Sequence, residues 1–170
     1  GAEVFYHQAE RARVTVSENQ RSNRLAHIEC FRSMGVPEQL LEGLVDGPVS
    51  PLIKPKVKQA TALQGAEEFA FERMKLKAIH TPGHSAGSLC FLDEEHGLLF
   101  SGDTMLPTSH ITALIELDLL SSNSEYNPLR LHLQSLDLIE NIKPVCVLPG
   151  HGEAFSDYLS LNREVRERHR

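Results

Sequence analysis

Three short segments place a histidine or a carboxylate directly after an apolar run. HTPGHSAGS follows KLKAIH, FSGDT follows GLLF, and PGHGE follows VCVL, so the candidates are His84, Asp103 and His151. The neighbouring glycines let the backbone turn tightly while the side chain points into a shared cavity. Loops that leave one edge of a sheet can converge, which predicts that these three side chains meet.

Imidazole nitrogen combined with carboxylate oxygen suits zinc, and also iron or manganese. A carboxylate can bridge two cations with its two oxygens, at the separation that lets a bound hydroxide attack an electrophile. This chemistry needs no serine or cysteine nucleophile. Cys30, Cys90 and Cys146 are widely spaced and have apolar neighbours, so we expect reduced core residues.

The elements that must position these residues can be predicted from periodicity and turn chemistry. AEVFYH is typical of a strand, Ser17 can cap a helix that runs to about Met34, and a second short helix covers residues 37 to 46. After the proline-rich loop DGPVSPLIKPK come the strands FAFE, KLKAIH, SLCFLD and LLFSGD, with EEHG as a hairpin turn between the last two. A helix at about Asn127 to Asn141, the strand PVCVL buried on both faces, and a surface helix after Ser156 complete the prediction.

The motifs His-Thr-Pro-Gly-His-Ser-Ala-Gly, Phe-Ser-Gly-Asp-Thr and Leu-Pro-Gly-His-Gly, in this order and at these separations, resemble the later motifs of the metallo-β-lactamase superfamily. The resemblance covers the chain from about Val57 onward, and MGVPEQLLEG is similar to an insertion in glyoxalase-II-like hydrolases. It implies an α/β fold that is part of an αβ/βα sandwich, a mixed sheet with flanking helices. We expect one partial domain over residues 1–170, with a helical insertion at about 17–56.

The resemblance also implies the roles of the candidates. His84 would bind the first metal, His151 the second, and Asp103 would bridge them as the catalytic carboxylate, with two zinc ions as the cofactor. Apart from the resemblance, His110 lies seven positions after Asp103, in a segment expected to leave the site along its rim; it is a candidate for substrate contact, although the sequence favours a solvated loop histidine. His80 is not a ligand in this pattern, and we expect it to donate to a neighbouring backbone group. Surface or helix positions are expected for the remaining histidines, His7, His27, His96, His132 and His169.

The family's hallmark His-x-His-x-Asp-His does not occur in these 170 residues. GAEVFYHQAE resembles the strand and turn that follow this motif in relatives, so the expectation is that the chain begins just downstream of it. Each metal would then keep about two protein ligands, whereas catalytic zinc sites usually keep three. The sequence therefore predicts weak metal binding and poor catalysis by this chain alone.

The leading functional prediction is hydrolysis of a thioester or other small acyl ester. One alternative is cleavage of RNA phosphodiesters, which needs a basic cleft built from Lys54, Lys56 and Lys58 or from the C-terminal arginines. The net charge of -6 makes nucleic acid an unfavourable partner. A second alternative is a catalytically silent scaffold that forms a homodimer through an uncovered sheet face. No apolar run approaches the roughly 18 residues that cross a bilayer, so a cytoplasmic location is expected.

Overall fold

The computed structural model describes residues 3–11, 28–45, 59–107 and 126–169. Residues 28–33 are helical. The strands are β1 (Phe5–His7), β2 (Thr61–Leu63), β3 (Glu68–Ala70), β4 (Lys75–His80), β5 (Leu89–Asp93), β6 (Leu98–Gly102) and β7 (Cys146–Pro149), and the helices are a 3-10 turn (Gln8–Glu10), α1 (Glu38–Val45), α2 (Pro128–Ile142) and α3 (Tyr158–Arg168).

A five-stranded mixed sheet, in the order β3-β4-β5-β6-β7, organises the described residues. The first four strands are antiparallel neighbours, while β6 and β7 run parallel. The turn between β5 and β6 is held by the buried carboxylate of Asp93, which accepts the backbone N–H groups of Glu95 and His96. The predicted hairpin at EEHG is thereby confirmed. Because β7 is parallel to β6, both strands end at the same edge of the sheet.

Helices α2 and α3 cover one face of this sheet. Asn127 caps α2 by accepting from the N–H of Arg130, and Pro128 occupies the first turn, where no donor is needed. Asp157 caps α3 in the same way. The buried core between helices and sheet contains Cys90, Leu92, Leu99, Leu136, Ile139, Val147, Tyr158 and Val165.

The opposite face of the sheet is apolar but only half-buried. The strand register aligns Phe91 with Phe100, and Phe100 with Leu148, on this side. Phe69 packs edge-on against Phe91, with ring centroids 6.0 Å apart, and Phe5 packs against Phe69 at 5.1 Å. Strand β1, which carries Phe5, therefore approaches the sheet from this side.

Most predicted elements are confirmed, with two differences. Strand β2 was not predicted: Thr61–Leu63 is short and largely exposed, and it forms by parallel pairing with β1, more than 50 residues earlier. The prediction that PVCVL is buried on both faces is wrong. Val147 is buried under the helices, but Val145 is 70% exposed and Leu148 only half-buried. Strand β7 is thus an edge strand, with β6 as its one neighbour among the described strands.

Part of the predicted helical insertion at about 17–56 lies outside the described residues, and the part inside them, 28–33 and α1, is helical. The single-domain prediction stays a prediction. Among the helices that the structure describes, none combines the length and the apolar character needed to cross a bilayer.

Candidate metal centre

Asp103 follows directly after β6, at an irregularity in the pairing of β6 with β7. The register shifts between Phe100 and Gly102, and Gly102 adopts φ +52°. The N–H of Gly150, just after β7, donates to the carbonyl of Gly102 at 2.8 Å. A Cβ at Gly150 would lie 2.7 Å from Asp103 Oδ1, so this close approach requires glycine.

The three predicted candidates meet at this edge. Nε2 of His84 lies 3.6 Å from Oδ2 of Asp103, and Nε2 of His151 lies 3.6 Å from Oδ1 of the same carboxylate. The side chains differ in exposure: His84 is 31% exposed, Asp103 37% and His151 78%. Each oxygen of one carboxylate thus faces a different imidazole.

Helix α2 supports the loop that carries His84. The Ser135 hydroxyl donates to the carbonyl of Pro82 at 2.7 Å. Gly83, at φ +146°, lies against the backbone of His132, and a Cβ there would come within 2.4 Å of the His132 Cβ. The loop is therefore pressed directly onto the helix.

The segment around β1 supports the same loop from another side. The rings of His7 and His80 stack with centroids 3.7 Å apart, and Nε2 of His80 donates to the carbonyl of Ala86 at 2.8 Å. The carboxylate of Glu10 accepts the N–H of Gly87 at 2.8 Å. Residues nearly 80 positions apart in sequence are thereby joined beside His84.

The predictions for the other histidines are confirmed in part. His80 donates to a backbone carbonyl, as expected, and His96 and His169 are exposed. The expected surface position of His7 is wrong, because β1 is covered by β2 and by His80, and the ring is 4% exposed. His132 does lie on a helix, but it is buried. His27 and the proposed rim residue His110 lie outside the described residues.

Burial lowers the pKa of two histidines, His7 and His132. Burial, and then the neighbouring His80, lower the pKa of His7, whose Nδ1 accepts from Ala9 N–H while Nε2 donates to the carbonyl of Gln64. Burial, with smaller contributions from His84 and His169, lowers the pKa of His132 to about 4. Neither ring nitrogen of His132 has a hydrogen-bond partner among the described residues. Both rings are therefore neutral at pH 7.

Of the three cysteines predicted to be core residues, only Cys90 is buried, and burial raises the pKa of its thiol, whereas Cys30 and Cys146 are half-buried. Sequence reasoning missed Glu10, Thr81, Thr104 and Ser135, which position the loops. Thr81 and Thr104 lie close to candidate ligands in the sequence, but their contact can be inferred only once the strand pairing is known. Lys54, Lys56 and Lys58, named for the RNA alternative, lie outside the described residues.

The C-terminal arginines that the structure describes are the other part of that alternative, and they contact polar neighbours; Arg170 lies outside the described residues. Arg166 pairs with Asp137 at 2.6 Å, Arg168 pairs with Glu164, and Arg163 donates to the hydroxyl of Ser160. Two of the three positive charges are thus next to a carboxylate, which reduces what α3 offers to phosphate groups.

Across the described residues, no group of three or more histidine, cysteine, aspartate or glutamate side chains is arranged around one metal position. The arrangement is instead two pairs, His84 with Asp103 and His151 with Asp103. Each pair joins an imidazole nitrogen and a carboxylate oxygen, and the two pairs share the carboxylate.

Comparison with known proteins agrees with this fold. The acyl-coenzyme A thioesterase MBLAC2 of Gallus gallus is 35% identical over 101 residues, which are 59% of this chain and 34% of that protein. An atrochrysone carboxyl ACP thioesterase of Aspergillus fumigatus is 28% identical over 109 residues, 64% of this chain and 23% of that protein. The matched region is thus about a third or less of these relatives.

A metallo-β-lactamase family protein of Thermus thermophilus superposes with a TM-score of 0.73 at 24% identity, over 99% of this chain and 53% of that chain. At this identity the similarity establishes the fold. The family model for the metallo-β-lactamase superfamily matches residues 32–151, which include His84, Asp103 and His151. Because that match covers well over half of the sequence, the chain belongs to the metallo-β-lactamase superfamily.

Proposed function

We propose that this chain supplies His84, Asp103 and His151 as ligands to two divalent cations in a hydrolase that acts on a thioester or another small acyl ester. The observation that carries the proposal is the sharing of Asp103, whose two oxygens each lie 3.6 Å from a different imidazole nitrogen. A carboxylate between two imidazoles is the donor set expected of a bridging ligand.

The distances agree with shared coordination. Two ligands of a tetrahedral zinc ion, each about 2.1 Å from the metal, lie about 3.4 Å apart. Both observed separations are 3.6 Å, longer than a hydrogen bond and close to this value. Each cation would have two protein ligands in the described residues, one fewer than a catalytic zinc site usually keeps. The residues fit two cations, and we expect them to bind weakly.

When bound, the cations would supply a Lewis acid and a water molecule whose pKa is lowered to about 7. Asp103 and the two histidines would hold the cations at the sheet edge, where the exposed side of His151 leaves room for a substrate. Zinc is the preferred metal for imidazole and carboxylate ligands, with iron and manganese as the alternatives.

The substrate class is supported by two observations. Two relatives bear thioesterase names. The net charge of -6, with Arg166 and Arg168 paired to carboxylates, disfavours a polyanion such as RNA. The reacting group of a thioester is an uncharged carbonyl, so its binding does not require a basic groove.

The metal site is tested by titrating the metal-free chain with Co²⁺ and following its absorption. We expect weak binding that is lost in Asp103→Ala and in His84→Ala. His96→Ala, which removes an exposed histidine on the β5–β6 turn, is the matched control and should bind like the wild type. Equal binding by Asp103→Ala and the wild type would contradict the ligand assignment.

The reaction is tested by measuring thiol release from a short-chain acyl thioester of N-acetylcysteamine, which carries no phosphate, with increasing Zn²⁺. We expect slow release that depends on added metal and disappears in Asp103→Ala. Release that is independent of metal would contradict the proposed metal dependence, and no release at saturating metal would contradict a thioesterase activity for this chain.

A further inference from the structure

A buried chain of polar side chains runs beneath the candidate metal centre. Thr81 lies three residues before His84, and Thr104 directly follows Asp103. The hydroxyl oxygens of Thr81 and Thr104 are 3.1 Å apart, and both side chains are at most 1% exposed. This contact joins the loop after β4 to the loop after β6, although β5 separates the two strands in the sheet.

This polar network continues to Cys90 on β5 and ends at Ser101 on β6. The Thr81 hydroxyl lies 3.3 Å from the Cys90 sulfur, and the Cys90 thiol donates to the carbonyl of Ser101 at 3.6 Å. That same carbonyl accepts the N–H of Thr104 at 3.0 Å. One assignment of protons satisfies every member: Thr104 donates to Thr81, Thr81 donates to Cys90, and Cys90 donates to Ser101.

We propose that Thr81 and Thr104 are positioning residues, whose buried hydroxyl contact sets the separation of the His84 and Asp103 loops and so the affinity of the metal site. A neutral hydrogen bond contributes only about 1 kcal/mol net, and replacing both partners with apolar groups of the same shape costs little. Stability alone therefore does not account for two buried hydroxyls at this place. A fully satisfied polar network fixes one geometry, and here both ends adjoin a proposed ligand.

The inference rests on the proposed metal site, so its test has one arm that needs metal and one that does not. The variants are Thr81→Val, Thr104→Val and their combination, with Thr104→Ser as the conservative replacement. Thr61→Val, at an exposed threonine of β2 outside this network, is the matched control. Urea unfolding of each variant shows whether its fold is retained.

In the first arm, Co²⁺ affinity is measured by titration of the full chain. We expect about a tenfold loss in each valine variant, as for other residues that orient metal ligands. In the double variant the loss should be no larger than in either single variant, because both remove the same contact. Thr104→Ser should bind like the wild type. Unchanged affinity in the valine variants would overturn the inference.

In the second arm, amide hydrogen exchange is measured on the metal-free chain. We expect exchange to accelerate about tenfold at residues 83–88 in the valine variants, with no change within β5. Equal acceleration in both regions would indicate a purely structural role and would overturn the inference. If the wild type binds no Co²⁺, the proposed function fails, and unchanged exchange at 83–88 would independently reject the positioning role.

Discussion

The two loops that carry histidines toward Asp103 are built differently. The loop of residues 81–88 is held from below by the Thr81–Thr104 contact, from one side by Ser135 and His132 of α2, and from another by Glu10. The loop after β7 is held by the N–H of Gly150 on Gly102 and by an isolated bridge between Val147 and Phe155. His84 is 31% exposed, whereas His151 is 78% exposed.

The two loops differ in how much side-chain entropy is lost when a ligand binds. The position of His84 is fixed before any ligand binds, because three separate elements of the fold contact its loop. His151 retains rotational freedom that binding must remove, at about 0.5 to 1.5 kcal/mol for a side chain of this kind. We expect His84 to define the geometry of the site and His151 to complete it.

The largest loss of stability is expected from Gly83→Ala. The added Cβ would meet the backbone of α2 within 2.5 Å, and the position has φ +146°. We expect the free energy of unfolding to fall by about 4 kcal/mol, from overpacking and backbone strain together. Urea denaturation measures it.

Gly152→Ala, in the loop after β7, is the matched control, since Gly152 also has a positive φ, +89°. The strain alone should cost about 1 to 2 kcal/mol. Equal losses at the two glycines would mean that the contact with α2 does not support the first loop.

Acid should lower the folding stability through His132, against whose backbone the loop of residues 81–88 packs. Its pKa is about 4 in the folded chain and 6.5 when unfolded, so the neutral ring favours folding above pH 6.5 and this contribution is lost as the pH falls toward 4. The loss between pH 7 and pH 4 is about 3 kcal/mol for a shift of this size.

His132→Leu should remove this part of the pH dependence and leave stability at pH 7 unchanged or higher, because the two buried ring nitrogens lack partners among the described residues. Urea denaturation at both pH values, compared with the wild type, measures the effect. A variant with the same acid sensitivity as the wild type would contradict the assignment.

A smaller effect is expected from the contact between Glu10 and Gly87. Glu10→Ala removes the acceptor for the N–H of Gly87 and should cost about 1 kcal/mol. Exchange of the Gly87 amide should accelerate more than that of amides in β6. Glu10→Gln retains an acceptor oxygen and should resemble the wild type; if it matched Glu10→Ala instead, charge rather than hydrogen bonding would be responsible.

The smallest effect on stability is expected at the second histidine. Without metal, His151→Ala should change the free energy of unfolding by less than about 0.5 kcal/mol, since the side chain is mostly exposed. With Zn²⁺ added, the wild type should gain stability that the variant does not. A large loss in the absence of metal would show that the second loop depends on this side chain after all.

The positions of the candidate residues after their strands could be predicted because the signals are local. An apolar run followed by glycine and a polar residue is readable within ten positions, as at GLLFSGD and VCVLPGHG. The helices α2 and α3 were predictable for the same reason, α2 from its periodic apolar residues and α3 from the segment rich in Arg and Glu after Ser156.

The supports of the site were not predictable, because they depend on pairing between distant segments. Nothing near His7 indicates that β2 will cover it, and nothing near Thr81 indicates that Thr104 will lie 3.1 Å away. The sequence predicts an ordinary helix position for His132, because the approach of Gly83 to its backbone depends on tertiary packing. Single-sequence reasoning identified the candidate ligands but not the network that orients them.

The contact between Glu10 and Gly87 also has a consequence for the order of folding. It closes a loop of 77 residues, which costs about 4 kcal/mol of chain entropy, whereas the β5–β6 hairpin closes over a few residues. Contacts of such separation form after local ones. During refolding, the hairpin should therefore gain amide protection before Gly87 does, and the loop of His84 should be among the last parts of the sheet edge to become ordered.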